Sequence, residues 1–296
     1  MSGCGIKKGR GLWLLLLSAI WVAVWTLPWC AKTADPEAAA AFSQTEMLFD
    51  AAAHSPEEEN TEETSVKDSR SFQMVVVRET AMPQPEGKRI LIYHSHTWEA
   101  YAQTEDRYEE TEKWRTKDNE HNVVAVGDAL AAQLRALGCT VVHDTTAFEP
   151  PDYEQAYERS LDMLEERVRL GESYDLYIDL HRDALSSTST LKRTVSIGGE
   201  DTARFMVLIG KGSGSGFIQK PEWEKNLIIA QRITDELNGM HENLCRDVKI
   251  KTGRFNQHIA PCCVLIECGN NLNTLEQVLC GVPYLAQAIC NALDSE

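Results

Sequence analysis

Several signatures are missing from this sequence of 296 residues, and each absence removes a class of protein. None of its nine cysteines stands in a Cys-x-x-Cys pair, so a structural zinc knuckle is not indicated. The glycine-rich stretch Gly212-Ser-Gly-Ser-Gly216 lacks the Gly-Lys-Ser/Thr of a phosphate loop and reads as a turn. No self-similarity at a period of about 20–50 residues points to a solenoid or propeller. Basic patches are absent and the net charge is −16, which argues against a nucleic-acid binder. What is present is a hydrophobic content of 43%, sufficient for a core.

That apolar content is unevenly spread. Residues 1–10 form a basic N-terminus with Lys7, Lys8 and Arg10. Residues 11–31 carry no charge and are rich in Leu, Val and Trp, long enough to cross a bilayer as a helix. The positive flank orients such a helix with its N-terminus in the cytoplasm and the rest of the chain outside it. A cleaved signal peptide is the rival, but its apolar region is usually shorter, and an uncleaved transmembrane anchor is the reading taken. Trp13, Trp21, Trp25 and Trp29 then serve as interface anchors and lipid-facing bulk. Residues 32–72 are an acidic linker: from 33 onward, ten acids stand against Lys67 and Arg70. Such a segment cannot bury enough apolar surface to offset the entropy of ordering, so it is expected to be a disordered tether. The anchor carries no acid to balance its bases, which leaves a net −12 over residues 73–296. A lone strand and a proline-containing turn fill 73–85, and a folded domain is expected over 86–296.

Within that domain strands and helices alternate. Strands are expected at Ile90–Tyr93, Cys139–His143, Tyr174–His181, Leu191–Ile197, Phe205–Ile209 and Val264–Glu267, with the fourth and fifth an adjacent pair. A helix from about Asn119 to Leu137 shows Val123, Val126, Leu130, Leu134 and Leu137 three and four apart, closed by Gly138. Others are expected from Asp152 to Arg169, from Pro221 to Leu237, and from Thr274 onward. In the last, Thr274 and Gln277 fit a capping box and Gly281 and Pro283 break the pattern. The fold class is therefore α/β, a mainly parallel mixed sheet with helices on both faces. Ligands of such sheets bind outside the carboxyl ends of the strands.

Three of the expected strands end in reactive side chains. Arg89-Ile-Leu-Ile-Tyr-His94-Ser-His96-Thr-Trp-Glu99 is an apolar strand followed by two imidazoles and a carboxylate. In extended backbone His94 and His96 would point the same way. Two His and one Glu make a common open zinc set, with the fourth position left to water. Glu120 is a rival third ligand. His181 lies in Asp179-Leu-His181-Arg182-Asp183, as a metal ligand with acidic partners or as a surface His paired to Asp183. Glu267 follows Val264-Leu-Ile; a carboxylate there is costly unless paired or metal-bound, and it suits a general base. Arg182 is a candidate for a substrate carboxylate or an oxyanion, by position. Cys268 offers a different chemistry, a thiol nucleophile. The remaining cysteines read as small hydrophobes, though an extracytoplasmic chain could pair some. His54, His121, His143, His241 and His258 read as surface or packing residues.

Ile90-Leu-Ile-Tyr-His-Ser-His-Thr-Trp-Glu-Ala-Tyr101, Asp179-Leu-His-Arg-Asp-Ala184, Phe255-Asn-Gln257 and Leu265-Ile-Glu-Cys-Gly-Asn-Asn-Leu-Asn-Thr274 resemble the motifs of the stage II sporulation protein P family. The likeness runs in order over about 88–292. It implies an amidase-like (phosphorylase/hydrolase-like) fold and a zinc-dependent N-acetylmuramoyl-L-alanine amidase, with a second activity on peptide crosslinks. It implies action on peptidoglycan during engulfment, anchored in the mother-cell membrane and facing the intermembrane space, with stage II sporulation proteins D and M as partners. Carried over by motif, the zinc ligands come from His94, His96, Glu99 and His181, and Glu267 is the catalytic acid. Between His94 and His96 the family pattern does not choose; strand position favours His96. Where the family has Gly-Gly after the acid, this chain has Cys268-Gly269-Asn270, a departure that touches the loop and not the acid. The alternative class is a membrane-tethered wall-binding or scaffolding module that has lost turnover.

Overall fold

The computed structural model describes residues 87–105, 107–212 and 221–295. The expected anchor, linker and 73–85 strand and turn lie outside the described residues, as does most of the glycine-rich stretch. Among the described residues no helix is long and apolar enough to cross a membrane.

Among the described residues thirteen elements follow one another: β1 (Arg89–Tyr93), α1 (Val123–Ala136), β2 (Thr140–His143), α2 (Ala156–Arg169), β3 (Leu176–Asp183), β4 (Thr194–Ile197), β5 (Glu200–Ala203), β6 (Phe205–Gly210), α3 (Trp223–Met240), β7 (Cys245–Lys251), β8 (Cys263–Asn270), α4 (Leu275–Leu279) and α5 (Val282–Asp294). Six strands form one sheet in the order β2-β1-β3-β8-β6-β7. The pairs β2–β1, β1–β3, β3–β8 and β6–β7 are parallel, and only β6–β8 is antiparallel. The sheet is thus mainly parallel and mixed. The expected pairing of the fourth and fifth strands does not form. Instead β4 turns back on β5 through Gly198 and Gly199, both at positive φ, as a separate hairpin. That frees β6, apolar along its whole length, for the middle of the sheet.

Period-two alternation divides each central strand between two cores. Ile90 and Ile92 of β1, and Leu176, Ile178 and Leu180 of β3, face α1, α3 and α5 in the larger core. Leu91, Tyr93, Tyr177 and Cys263 face the other way, against Leu164 of α2. Helices therefore cover both faces, several on one and α2 on the other. From β1 the chain runs out to the edge strand β2 through α1 on one face, and α2 brings it back past β1 to β3 on the other, so the order reverses between β1 and β3. That is the switch point where such sheets open a crevice at the strand ends.

Helix boundaries follow local chemistry. Asn122 caps α1 by accepting from the Val124 N–H, and Gly138, at positive φ, closes its far end. Thr274 and Gln277 form the capping box of α4. Gly281 and Pro283 then split the last helix into α4 and α5.

Candidate active site at the strand ends

β1 stops at Tyr93, and Ser95 to Trp98 form a turn. This turn undoes the shared direction expected of His94 and His96. His94 keeps the orientation of Ile90 and Ile92 and points toward α1. It is fully buried, with Nδ1 on the Leu180 carbonyl at 2.8 Å and Nε2 on His143 Nε2 at 2.8 Å. His143 in turn bonds Asp128 at 2.9 Å. Burial, and then the neighbouring His143, lower the His94 pKa to about 3, and burial lowers that of His143 as well, so the interior disfavours charge on this pair. His143, read from sequence as a surface or packing residue, is the partner that fixes His94.

His96 swings to the α2 side of the sheet. Its ring stacks on Tyr153 at 4.1 Å and meets the edges of Tyr157 and His181 at 5.2 and 5.4 Å. It is 7% exposed, and its buried Nδ1 has no hydrogen-bond partner. Burial, and then the charge of His181, lower its pKa to about 4, so the ring is neutral and able to ligate.

His181 and Glu267 are partners in the β3–β8 register, side by side on adjacent parallel strands. Alternation places them, with Asp179, on the face where His96 lies. The pairing slips by a residue just beyond His181, which marks the end of the regular ladder. His181 Nε2 meets Asp179 Oδ1 at 2.8 Å and Nδ1 meets Glu99 Oε2 at 3.3 Å. Asp183, the other acid beside it in sequence, faces Arg246 at 2.5 Å instead. Asp179, 1% exposed, also accepts from the Ser95 N–H at 2.8 Å and the Ser95 hydroxyl at 2.6 Å.

Glu99 is held by the Arg182 N–H at 3.0 Å and lies 3.6 Å from the Arg182 guanidinium. The same guanidinium donates to the carbonyls of Ala100 and Trp114. Arg182 is buried and committed to this turn, not turned to a cleft. Glu120 is exposed, precedes α1, and bonds Asp118 through its backbone. Cys268 is fully buried in the larger core, and burial pushes its thiol pKa up, which suits packing and not attack.

Charge around His181 sets the electrostatics. Burial opposes its protonation, but Asp179, Tyr157 and Glu99 overcome that and raise its pKa well above the ordinary value. Glu99 is pushed up by burial but pulled down further by His181 and Arg182, to about 2. Glu267 has no such close partner. Burial raises it to about 8, against the pull of His181 and with Glu99 adding to the rise. Its Oε2 is buried and unpartnered.

Among the described residues no three His, Cys, Asp or Glu side chains already stand around one point with metal-binding spacing. The donor chemistry nevertheless fits zinc. A neutral imidazole and a carboxylate each present a buried atom without a partner. The 3.3 Å between His181 Nδ1 and Glu99 Oε2 matches the edge of a tetrahedron with bonds of about 2.0–2.1 Å. Asp179 on the far nitrogen of His181 is the carboxylate support that zinc-bound histidines usually have. The His181 proton stands where the cation's charge would be.

Fold and site together define an α/β protein with a buried histidine–carboxylate centre at the carboxyl edge of a mainly parallel sheet. The family model of stage II sporulation protein P matches residues 32–290, and the chain belongs to that family. No curated protein matches. Among solved structures it is similar to an N-acetylmuramoyl-L-alanine amidase from Clostridium difficile 630, at 14% identity and TM-score 0.43 over 71% of this chain and 98% of that one. It is also similar to the CwlD amidase from Clostridioides difficile in complex with the GerS lipoprotein, at 17% identity and TM-score 0.42 over 70% and 94%. The amidase AmiC2 of Nostoc punctiforme matches at 13% identity and TM-score 0.40, again over 70% and 94%.

Tyr153, Tyr157 and Ser95 are site residues that the sequence reading missed. Ser95 sits inside the His-Ser-His motif. The tyrosines come from the start of α2 and the loop before it, and only the crossover of α2 past β1 brings them over His96.

Proposed function

We propose that the chain is a zinc-dependent peptidoglycan hydrolase that cleaves the amide between N-acetylmuramic acid and L-alanine, with a second activity on peptide crosslinks. It acts in sporulation, during engulfment. Residues 11–31 hold it in the cell membrane with the hydrolytic domain in the intermembrane space, and stage II sporulation proteins D and M are its partners. Family membership supports the setting. The observation that carries the chemistry is the register pair His181–Glu267 beside the His96 turn, with a donor atom left uncommitted on His96 and on Glu267.

In this reading His96, Glu99 and His181 hold the metal, and His94 stays behind them with His143. Zinc, when bound, brings the pKa of a water toward about 7 and polarises the amide carbonyl. Glu267 takes a proton from the attacking water at Oε2. The water oxygen bonds the carbonyl carbon, the C–N bond breaks, and Glu267 returns the proton to the departing amine nitrogen. A carboxyl whose pKa lies near neutrality suits both halves of that cycle. Asp179 and Ser95 fix the His181 ring through Nε2, and Arg182 holds Glu99 in place. Its commitment to two carbonyls favours this role over an oxyanion contact.

The test is mass spectrometry of purified peptidoglycan digested by the full chain. The reading expects soluble peptides with new N-terminal alanine, lost with a zinc chelator and restored by zinc. Glycan-bound peptides left uncut by folded, zinc-loaded protein would leave the wall-binding alternative in its place. Release blocked by thiol alkylation but indifferent to chelator would point to Cys268.

A further inference from the structure

Away from the strand-end site, two thiols face each other across the domain. Cys139 follows Gly138 in the turn between α1 and β2, and Cys290 lies on α5, 151 positions later. Their sulfurs are 3.6 Å apart and both are free. Both line a surface cavity of about 450 Å³, with Gly87, Lys88, Asp175 and Asp294 among its other walls. Of the other described cysteines, Cys245, Cys263 and Cys268 are buried, Cys245 against Thr234 and Cys263 against the Ala260 carbonyl.

We propose that Cys139 and Cys290 are an oxidation site, closing to an intrachain disulfide that staples the last helix to the α1–β2 corner. A disulfide needs its sulfurs at about 2.05 Å, so a gap of about 1.6 Å has to close. The co-reactant is a small organic disulfide. One thiolate attacks a sulfur of that disulfide and expels one thiol. The second cysteine then attacks the mixed disulfide and expels the other, so two protein thiols are oxidised and one disulfide is reduced to two thiols. The cavity gives the small disulfide access to both sulfurs. Burial, the neighbouring thiol and Asp294 hold the Cys290 thiol up to about 12, so closure is slow at neutral pH and faster at pH 9. The position suits a staple: α5 packs against both α1 and α3, and the closed loop spans nearly all the elements between α1 and the chain's end. The proposal is independent of the hydrolase reading.

The experiment incubates the full chain with oxidised glutathione at pH 9, blocks residual thiols by alkylation, and maps peptides without reduction. The expected result is one crosslinked pair containing Cys139 and Cys290. It is accompanied by a rise in Tm of roughly 5–10 °C that dithiothreitol reverses. Cys290→Ser should abolish both and leave Cys139 carrying glutathione. Two separate glutathione adducts in the wild-type chain, alkylation of both thiols, or a crosslink between other cysteines would overturn it. Should Cys290→Ser fail to fold, Cys139→Ser serves as the same control.

Discussion

Asp179→Asn isolates one charge at the centre of the site. With its oxygen at the Oδ1 position, the new amide keeps the bonds from the Ser95 N–H and from His181 Nε2. The Ser95 hydroxyl reverses and accepts from the amide nitrogen, so the hydrogen bonds survive and only the charge is lost. His181 is then left with Glu99 as its close anionic partner. Breaking a buried ion pair costs roughly 3–5 kcal/mol, and with Glu99 still in place we expect about 2–3 kcal/mol in the metal-free protein. The pH window has two edges. Asp179 has a depressed pKa, so its contribution is present above about pH 4 and lost as the pH falls through the folded value. His181 has a raised one, so its share is full below about pH 6.5 and lost as the pH rises through the folded value. The difference between wild type and variant should therefore peak between these edges. The assay is denaturant unfolding with chelator present, repeated from pH 3 to 9, followed by zinc titration at neutral pH. Zinc affinity should fall by about 10–100-fold, as for other carboxylate supports of metal-bound histidine. Equal unfolding midpoints and equal zinc affinity would refute the assignment of Asp179 as the counter-charge to His181.

Other consequences are more local. Glu267 carries a pKa raised to about 8, so the metal-free wild type should lose stability as the pH rises from about 4.5 to 8, by on the order of 4 kcal/mol, whereas Glu267→Gln should not. The same variant should lower hydrolysis about 10²–10⁴-fold in a wall-digestion assay. Gly127→Ala places a methyl against the ring nitrogens of His143 and His94. Despite the better helix propensity, it should destabilise the protein by about 1–3 kcal/mol in thermal melts. Cys268→Ala should cost about 1–2 kcal/mol of stability and leave hydrolysis within about twofold of wild type.

Most of the fold could be read from apolar spacing. The three- and four-residue pattern of α1 and the apolar runs of β1 and β3 survive in the structure, because α1 buries one stripe in the larger core and the two strands are buried on both faces. β7 did not announce itself. Its sequence Cys-Arg-Asp-Val-Lys-Ile-Lys belongs to an edge strand, half of it in solvent, and such strands carry charge to discourage pairing. β4 falls within the strand expected at Leu191–Ile197, but its partner β5, Glu-Asp-Thr-Ala, was hidden because it is short and opens on two exposed acids. At the site, the residue types and the strand ends were legible, but the direction of each side chain was not. Alternation holds for Asp179, His181 and Glu267, which sit within strands. It fails for His96, three residues past Tyr93, where the backbone has turned. The role of Arg182 was out of reach as well, since its acceptors are carbonyls of a distant turn that only the fold brings near.

The most direct measurement is elemental analysis of purified full-length protein beside His181→Ala, with circular dichroism to show that both are folded. About one zinc per wild-type chain, and none in the variant, is the expected result. Zinc retained by folded His181→Ala, or none bound by the wild type at neutral pH with zinc in excess, would contradict a metal centre built on the ends of β1, β3 and β8.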